Sequence, residues 1–226
     1  MTGLLTKATN VAKNDFMLTI FLSFLTLISA ILHIRAKRYT TNFYIFKPLT
    51  MIFIILIAIQ LPANLNPSNY KYLIITGLVF SLLGDVLLML PSDRFVAGLV
   101  SFLIAHIFYI IAFVLTGINL FSLLYTIPFL IYGAVLFLTL LPYLKEMKLP
   151  VAVYASVLLI MGWQAFSRWL DVGPVGSFTA FIGAAFFMAS DSILALDRFK
   201  GSVPQAQIYF MTTYFFAQWL IALSIC

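Results

Sequence analysis

Two stretches of the chain repeat one unusual instruction. In "GDVLLMLPSDRF", from Gly84, and in "SDSILALDRF", from Ser190, an aspartate sits inside an apolar run that ends in Asp-Arg-Phe. Of the seven acidic residues, Asp15, Asp93, Glu146, Asp171 and Asp197 fall in loops or at helix ends, and only Asp85 and Asp191 lie within apolar runs. A carboxylate in hydrocarbon costs about 2.5–3.5 kcal/mol on insertion scales, so two of them need a reason. Two carboxyl groups in one low-dielectric site suit general acid–base chemistry, one neutral as proton donor and the other ionised. Capping or cross-linking of neighbouring helices is the structural alternative.

Other polar residues stand near this pair in the pattern. His106, in "SFLIAHIFYI", is the one histidine deep in an apolar run, about 16 Å along the helix that Phe95 opens. Tyr109 follows three residues later on the same face. Ser81 lies one turn before Asp85, within reach of its carboxyl. His33 ends the first apolar run beside Arg35 and reads as interfacial. In the last run Gln207, Met211, Tyr214 and Gln218 recur at helical spacing. That stripe either lines a cavity or bonds to neighbouring helices. Gly77, Ser81 and Gly84 form a small-residue stripe that admits a close neighbour.

Several chemistries are excluded. There is no G-x-S-x-G elbow, no H-E-x-x-H and no Walker A loop. The one cysteine, Cys226, has no histidine near it and no metal-ligand spacing around it. The buried histidine and carboxylates carry no metal signature, so neither a metal nor another cofactor is expected.

The elements that must position these residues follow from composition. The 226 residues are 63% hydrophobic and 9% charged, with a mean hydropathy of +1.09. No soluble domain hides that much apolar surface, so the bilayer is the solvent. The net charge of +6 comes from scattered basic residues with no patch or stripe, which excludes a nucleic-acid module. The expected class is all-α: a single integral, multi-pass membrane bundle, in the cytoplasmic membrane if the source is bacterial. At about 17–25 residues per span, eight helices are expected, near 16–34, 48–63, 72–90, 95–116, 118–141, 149–167, 175–196 and 207–225. Pro48 and Pro150 then open the second and sixth helices, where a missing N–H is harmless. The N-terminal segment lacks a signal-peptide h-region, so the first run reads as a retained helix.

Loop charges set orientation. One side carries Arg35, Lys37, Arg38, Lys47, Arg94, Lys145, Lys148, Arg198 and Lys200, and the other Lys7, Lys13, Lys71 and Arg168, nine against four. This places the loops after helices one, three, five and seven in the cytoplasm. The halves also echo each other. Lys47-Pro48 matches Lys148-Leu149-Pro150, and Asp93-Arg94-Phe95 matches Asp197-Arg198-Phe199. Four helices separate the copies, which predicts a parallel 4+4 repeat with both aspartates at one depth.

On "SLLGDVLLMLPSDRFVAGLVSFLIAHIFY" from Ser81, "MASDSILALDRF" from Met188 and "TYFFAQWLI" from Thr213, the chain resembles the YhhN-type lysoplasmalogenase family. The resemblance implies hydrolysis of the vinyl ether bond of 1-alkenyl lysophospholipids, giving a fatty aldehyde and a glycerophospho-amine. The partners implied are a lysophospholipid, water and the bilayer. A vinyl ether is not an ester and needs no serine nucleophile: protonation of the carbon beta to oxygen gives an oxocarbenium ion, to which water adds. With the resemblance, Asp85 and Asp191 become the catalytic carboxyls, without assignment of which is the acid. His106, Tyr109, Ser81, Tyr214 and Gln218 would position water or substrate oxygens. Arg94, Arg198 and Lys200, at the cytoplasmic boundary, would attract the lipid phosphate unless Asp93 and Asp197 neutralise the arginines. A small proton-coupled transporter or a lipid-binding protein would use the same intramembrane aspartates without cleaving a bond.

Overall fold

The structure, a computed structural model, describes residues 2–62, 66, 69–115 and 120–226. It contains eight helices: α1 (Thr2–Arg35), α2 (Thr41–Gln60), α3 (Tyr70–Met89), α4 (Phe95–Val114), α5 (Thr126–Leu140), α6 (Lys148–Val172), α7 (Pro174–Ala195) and α8 (Ala206–Leu223). Short 3-10 turns at Leu120–Tyr125 and Lys145–Met147 lead into α5 and α6, and a π-helical turn, Leu196–Lys200, follows α7. No strand occurs among the described residues. The expected start of the fifth span, at 118, and most of the loop at 63–69 lie outside them.

Seven of the helices are long and apolar enough to cross a membrane. The eighth, α8, falls short because Gln207, Thr212, Thr213 and Gln218 interrupt it. It is also the helix most enclosed by protein, packing on α7, α2, α1 and α3. Gln218 is tolerated there because neighbouring helices, not lipid, surround it, whereas Thr212 is exposed. By contrast α5 is peripheral, with only Gly133 and Leu140 buried.

Two boundaries differ from expectation, and each changes the reading of a charge. Thr40 caps α2, its Oγ1 accepting from the Phe43 N–H at 3.4 Å, so the helix begins seven residues before Pro48. Pro48 therefore lies inside the helix, where it removes one backbone bond, and Lys47 is a helix residue facing inward. At its other end α6 continues to Val172, stopped by Gly173 at a φ of +69° and by Pro174, the first residue of α7. Arg168 is consequently buried rather than in a loop. It donates to the Tyr70 hydroxyl at 3.3 Å and to Asn66 Oδ1, and lies over the Tyr70 ring at 4.5 Å. Without Lys47 and Arg168 the charge count is eight against three, in the same sense.

Corresponding helices of the two halves take corresponding places. α3 packs along α4 as α7 packs along α8; α2 adjoins α3 as α6 adjoins α7; α4 meets α6 as α8 meets α2. Small residues make the close approaches. A Cβ on Gly77 would lie 2.3 Å from the Tyr109 ring of α4, and one on Gly84 2.7 Å from Phe102. Gly183 stands 106 residues after Gly77, as Asp191 does after Asp85. A Cβ there would lie 3.0 Å from the Ala217 carbonyl of α8.

Candidate active site

α3 and α7 end on the same side of the bundle, and each carries its aspartate one turn before its end. This is the end that also holds Arg38, Arg94 and Arg198. The two carboxyls line one cavity of about 540 Å³. That volume lies within the range of about 300–1,000 Å³ usual for small-molecule sites. Leu88, Phe102, Leu140 and Leu158 supply apolar wall, and the three arginines stand at the mouth.

The two aspartates have different company. Asp85 is 1% exposed, and both of its oxygens are engaged. Oδ1 lies 3.0 Å from Lys47 Nζ of α2, and Oδ2 accepts the Tyr214 hydroxyl of α8 at 2.7 Å. Among the described residues no cation pairs with Asp191. Its Oδ2 accepts the Tyr154 hydroxyl of α6, and no described protein group donates to Oδ1. It is half-buried, with its carboxyl lining the cavity. Thus α2 gives the first aspartate an ammonium, and α6 gives the second a phenol.

The remaining expected residues divide into two groups. Tyr214 lines the cavity, as do Gln207 and Met211 of the same stripe. Gln218, one turn deeper, instead accepts from the Tyr109 hydroxyl at 2.8 Å. The α8 stripe therefore does both things open to it: its outer part lines the cavity and its inner part ties α8 to α4. Ser81 lies 3.5 Å from the Tyr109 hydroxyl and makes no bond to Asp85. Ser81, Tyr109, Gln218 and His106 are all buried outside the cavity lining. The His106 ring packs edge-on against Tyr154 at 5.3 Å and Phe187 at 4.6 Å, and neither ring nitrogen has a hydrogen-bond partner among the described residues.

At the mouth, Arg94 and Arg198 line the cavity and Lys200 does not. Arg198 donates to Asp93 Oδ2 at 2.5 Å and lies over the Phe95 ring at 4.9 Å. Its hydrogen bond holds the Asp93 carboxyl below the usual carboxylate range. Asp197 accepts from the Val203 N–H at 2.9 Å, so it closes the turn after α7 rather than neutralising an arginine. Arg94 bonds only to the neutral Ser92 hydroxyl, at 3.3 Å.

Among the cavity residues that escaped the sequence reading as site residues are Lys47, Tyr154, His33 and Arg38. Lys47 was visible as part of a repeated Lys-Pro signature, but its position beside the proline read as a helix start. Tyr154 looked like one aromatic among many. His33 is fully buried against Phe43 and Phe215 rather than interfacial.

No solved structure matches the chain. Curated relatives do. Lysoplasmalogenase TMEM86B of Homo sapiens is 37% identical over 161 residues, covering 71% of this chain and 66% of that protein. Lysoplasmalogenase TMEM86A of Homo sapiens is 34% identical over 170 residues, covering 70% and 66%. The membrane protein YhhN of Escherichia coli O157:H7 is 28% identical over 182 residues, covering 80% and 86%. The model of the YhhN family matches residues 42–225, from the first turn of α2 to the end of α8, with both aspartates inside it. With its aspartates facing one cavity in a bundle of apolar helices, this multi-pass membrane chain belongs to the YhhN family.

Proposed function

We propose that the chain is a lysoplasmalogenase that hydrolyses the vinyl ether of 1-alkenyl lysophospholipids, with Asp191 as proton donor and Asp85 as fixed anion. The unequal surroundings of the two carboxyls carry this assignment. Lys47 at 3.0 Å and the Tyr214 hydroxyl hold Asp85 as a carboxylate. Asp191 has a phenol on one oxygen and no cation, so its other oxygen is the place for a proton. The names of the TMEM86 relatives support the reaction class.

The steps balance with these groups alone. The Asp191 proton adds to the alkene carbon beta to the ether oxygen, and positive charge spreads over the adjoining carbon and oxygen. Asp85 offsets that charge within the low-dielectric cavity. Water attacks the cationic carbon and yields its proton to Asp191, which is thereby restored. The hemiacetal then breaks at the bond between its carbon and the glycerol oxygen: Asp191 gives its proton to that departing oxygen and takes the one from the hemiacetal hydroxyl, releasing the aldehyde and a glycerophospho-amine. The arginine-lined mouth suits the phosphate, and the apolar wall suits the chain.

The test is aldehyde release by the purified protein in detergent from a 1-alkenyl lysophospholipid, beside its 1-acyl and 1-alkyl counterparts. Aldehyde from the alkenyl lipid alone, lost in Asp191→Asn, is the expected result. A folded protein that leaves the alkenyl lipid intact overturns the reading and favours a carrier.

A further inference from the structure

We propose that His33 Nε2 is a specificity site that accepts a hydrogen bond from the free 2-hydroxyl of the substrate's glycerol. The inference rests on the lysoplasmalogenase reading above and adds a residue of α1 to that site.

His33 is 0% exposed and is one of the residues that form the wall of the cavity. Nδ1 lies 3.2 Å from the Phe43 carbonyl oxygen. A carbonyl only accepts, so Nδ1 carries the hydrogen and Nε2 is left with a bare lone pair. Nε2 has no partner. The nearby ammonium, that of Lys47, is already held by Asp85 at 3.0 Å. The rings of Phe43, at 4.8 Å, and Phe215, at 5.9 Å, fix the plane of the imidazole. The site is thus a buried hydrogen-bond acceptor in the wall of a cavity, without a donor among the described residues. Leaving such an atom unpaired is costly, and a hydroxyl entering the cavity removes that cost.

Depth indicates which hydroxyl. His33 is two residues from the end of α1, and Asp85 four residues from the end of α3. At about 1.5 Å per residue, His33 stands a few ångströms nearer the mouth than the carboxyls, whereas Arg38 and Arg94 lie beyond the helix ends. A 1-alkenyl lysolipid has the same order: the vinyl ether, then the carbon bearing the 2-hydroxyl, then the phosphate. With the ether at Asp191 and the phosphate at the arginines, the 2-hydroxyl falls at the level of His33.

The experiment compares kcat/KM for a 1-alkenyl lysophosphoethanolamine and its 2-deoxy analogue. It uses wild type, His33→Phe, which keeps a ring but no acceptor, and His33→Gln, which restores a carbonyl oxygen. Wild type is expected to favour the hydroxyl-bearing lipid by about tenfold or more. His33→Phe loses that preference through the hydroxyl-bearing lipid alone, and His33→Gln recovers part of it. Equal kcat/KM for the two lipids in wild type overturns the proposal, whether or not the variants fold. So does a parallel loss on both lipids in His33→Phe, which would assign Nε2 to water or to packing. Absence of aldehyde from both lipids with wild type is a separate outcome: it removes the parent reading, and this proposal with it.

Discussion

Lys47 of α2 and Asp85 of α3 meet at 3.0 Å inside the bundle, their side chains 4% and 1% exposed. Among the described residues no counterpart ammonium reaches Asp191: Lys148, which matches Lys47 in the repeated signature, is exposed, and α6 presents Tyr154 instead. The two aspartates of the repeated pattern thus have unequal surroundings, and the proposed division of roles rests on that difference.

Breaking the Lys47–Asp85 pair from one side leaves a buried charge alone. Lys47→Met is expected to lose about 3–5 kcal/mol of stability. Lys47→Met with Asp85→Asn should recover most of it while remaining inactive. Unfolding in mixed detergent micelles, read beside aldehyde release, checks both parts; a double variant as unstable as the single one contradicts the pairing argument.

Asp191→Asn keeps the shape of the side chain and removes its acid. Turnover should fall by at least about a hundredfold, the usual contribution of a positioned proton donor. Tyr154→Phe should lower kcat more modestly and leave KM nearly unchanged, since the phenol touches the donor rather than the lipid. Steady-state kinetics on the folded variants decides this.

Gly77 has no room for a side chain, with the Tyr109 ring 2.3 Å from where a Cβ would stand. Gly77→Ala is expected to cost about 1–3 kcal/mol by overpacking. Because Tyr109 also donates to Gln218 of α8 at 2.8 Å, the cost should shrink in a Gly77→Ala, Tyr109→Phe background only if the ring moves freely. A thermal unfolding series on the two backgrounds reads the coupling.

Under the proposed function, Asp93 at the mouth competes with the lipid phosphate for Arg198. Asp93→Asn should lower KM a few-fold at neutral pH and leave kcat alone. The Asp93 carboxyl is held below its ordinary value by the Arg198 hydrogen bond. The contact is therefore intact above the ordinary carboxylate pKa of about 4, and it is lost as pH falls through the lowered value. Binding of a non-hydrolysable 1-alkyl lysophospholipid, titrated downward in pH, should bring wild type toward the affinity of the variant. Divergence of the two at acid pH would contradict the competition.

Much of the architecture was legible because the bilayer simplifies the code. Length and apolarity specify helices with little ambiguity. The cost of buried charge marked Asp85 and Asp191 among seven acidic residues, and their equal distance from helix ends placed them at one depth. The end of α2 that carries Lys47 was less legible, since Pro48 imitates a helix start and the Thr40 cap lies eight residues upstream of it. Length and apolarity likewise do not show that α8, the helix that falls short of a membrane span, is the one wrapped by its neighbours.

From the sequence alone came the solvent, the helices, the repeat and the two carboxyls, because each is a local property of composition or spacing. Only the tertiary structure decided their partners. Lys47 meets Asp85 across 38 residues and Tyr154 meets Asp191 across 37, and His33 enters the cavity from a helix that carries neither aspartate. Which face of a helix meets which neighbour depends on close packing around glycines such as Gly77 and Gly84. That is a property of the whole bundle, and no periodicity in a single helix encodes it.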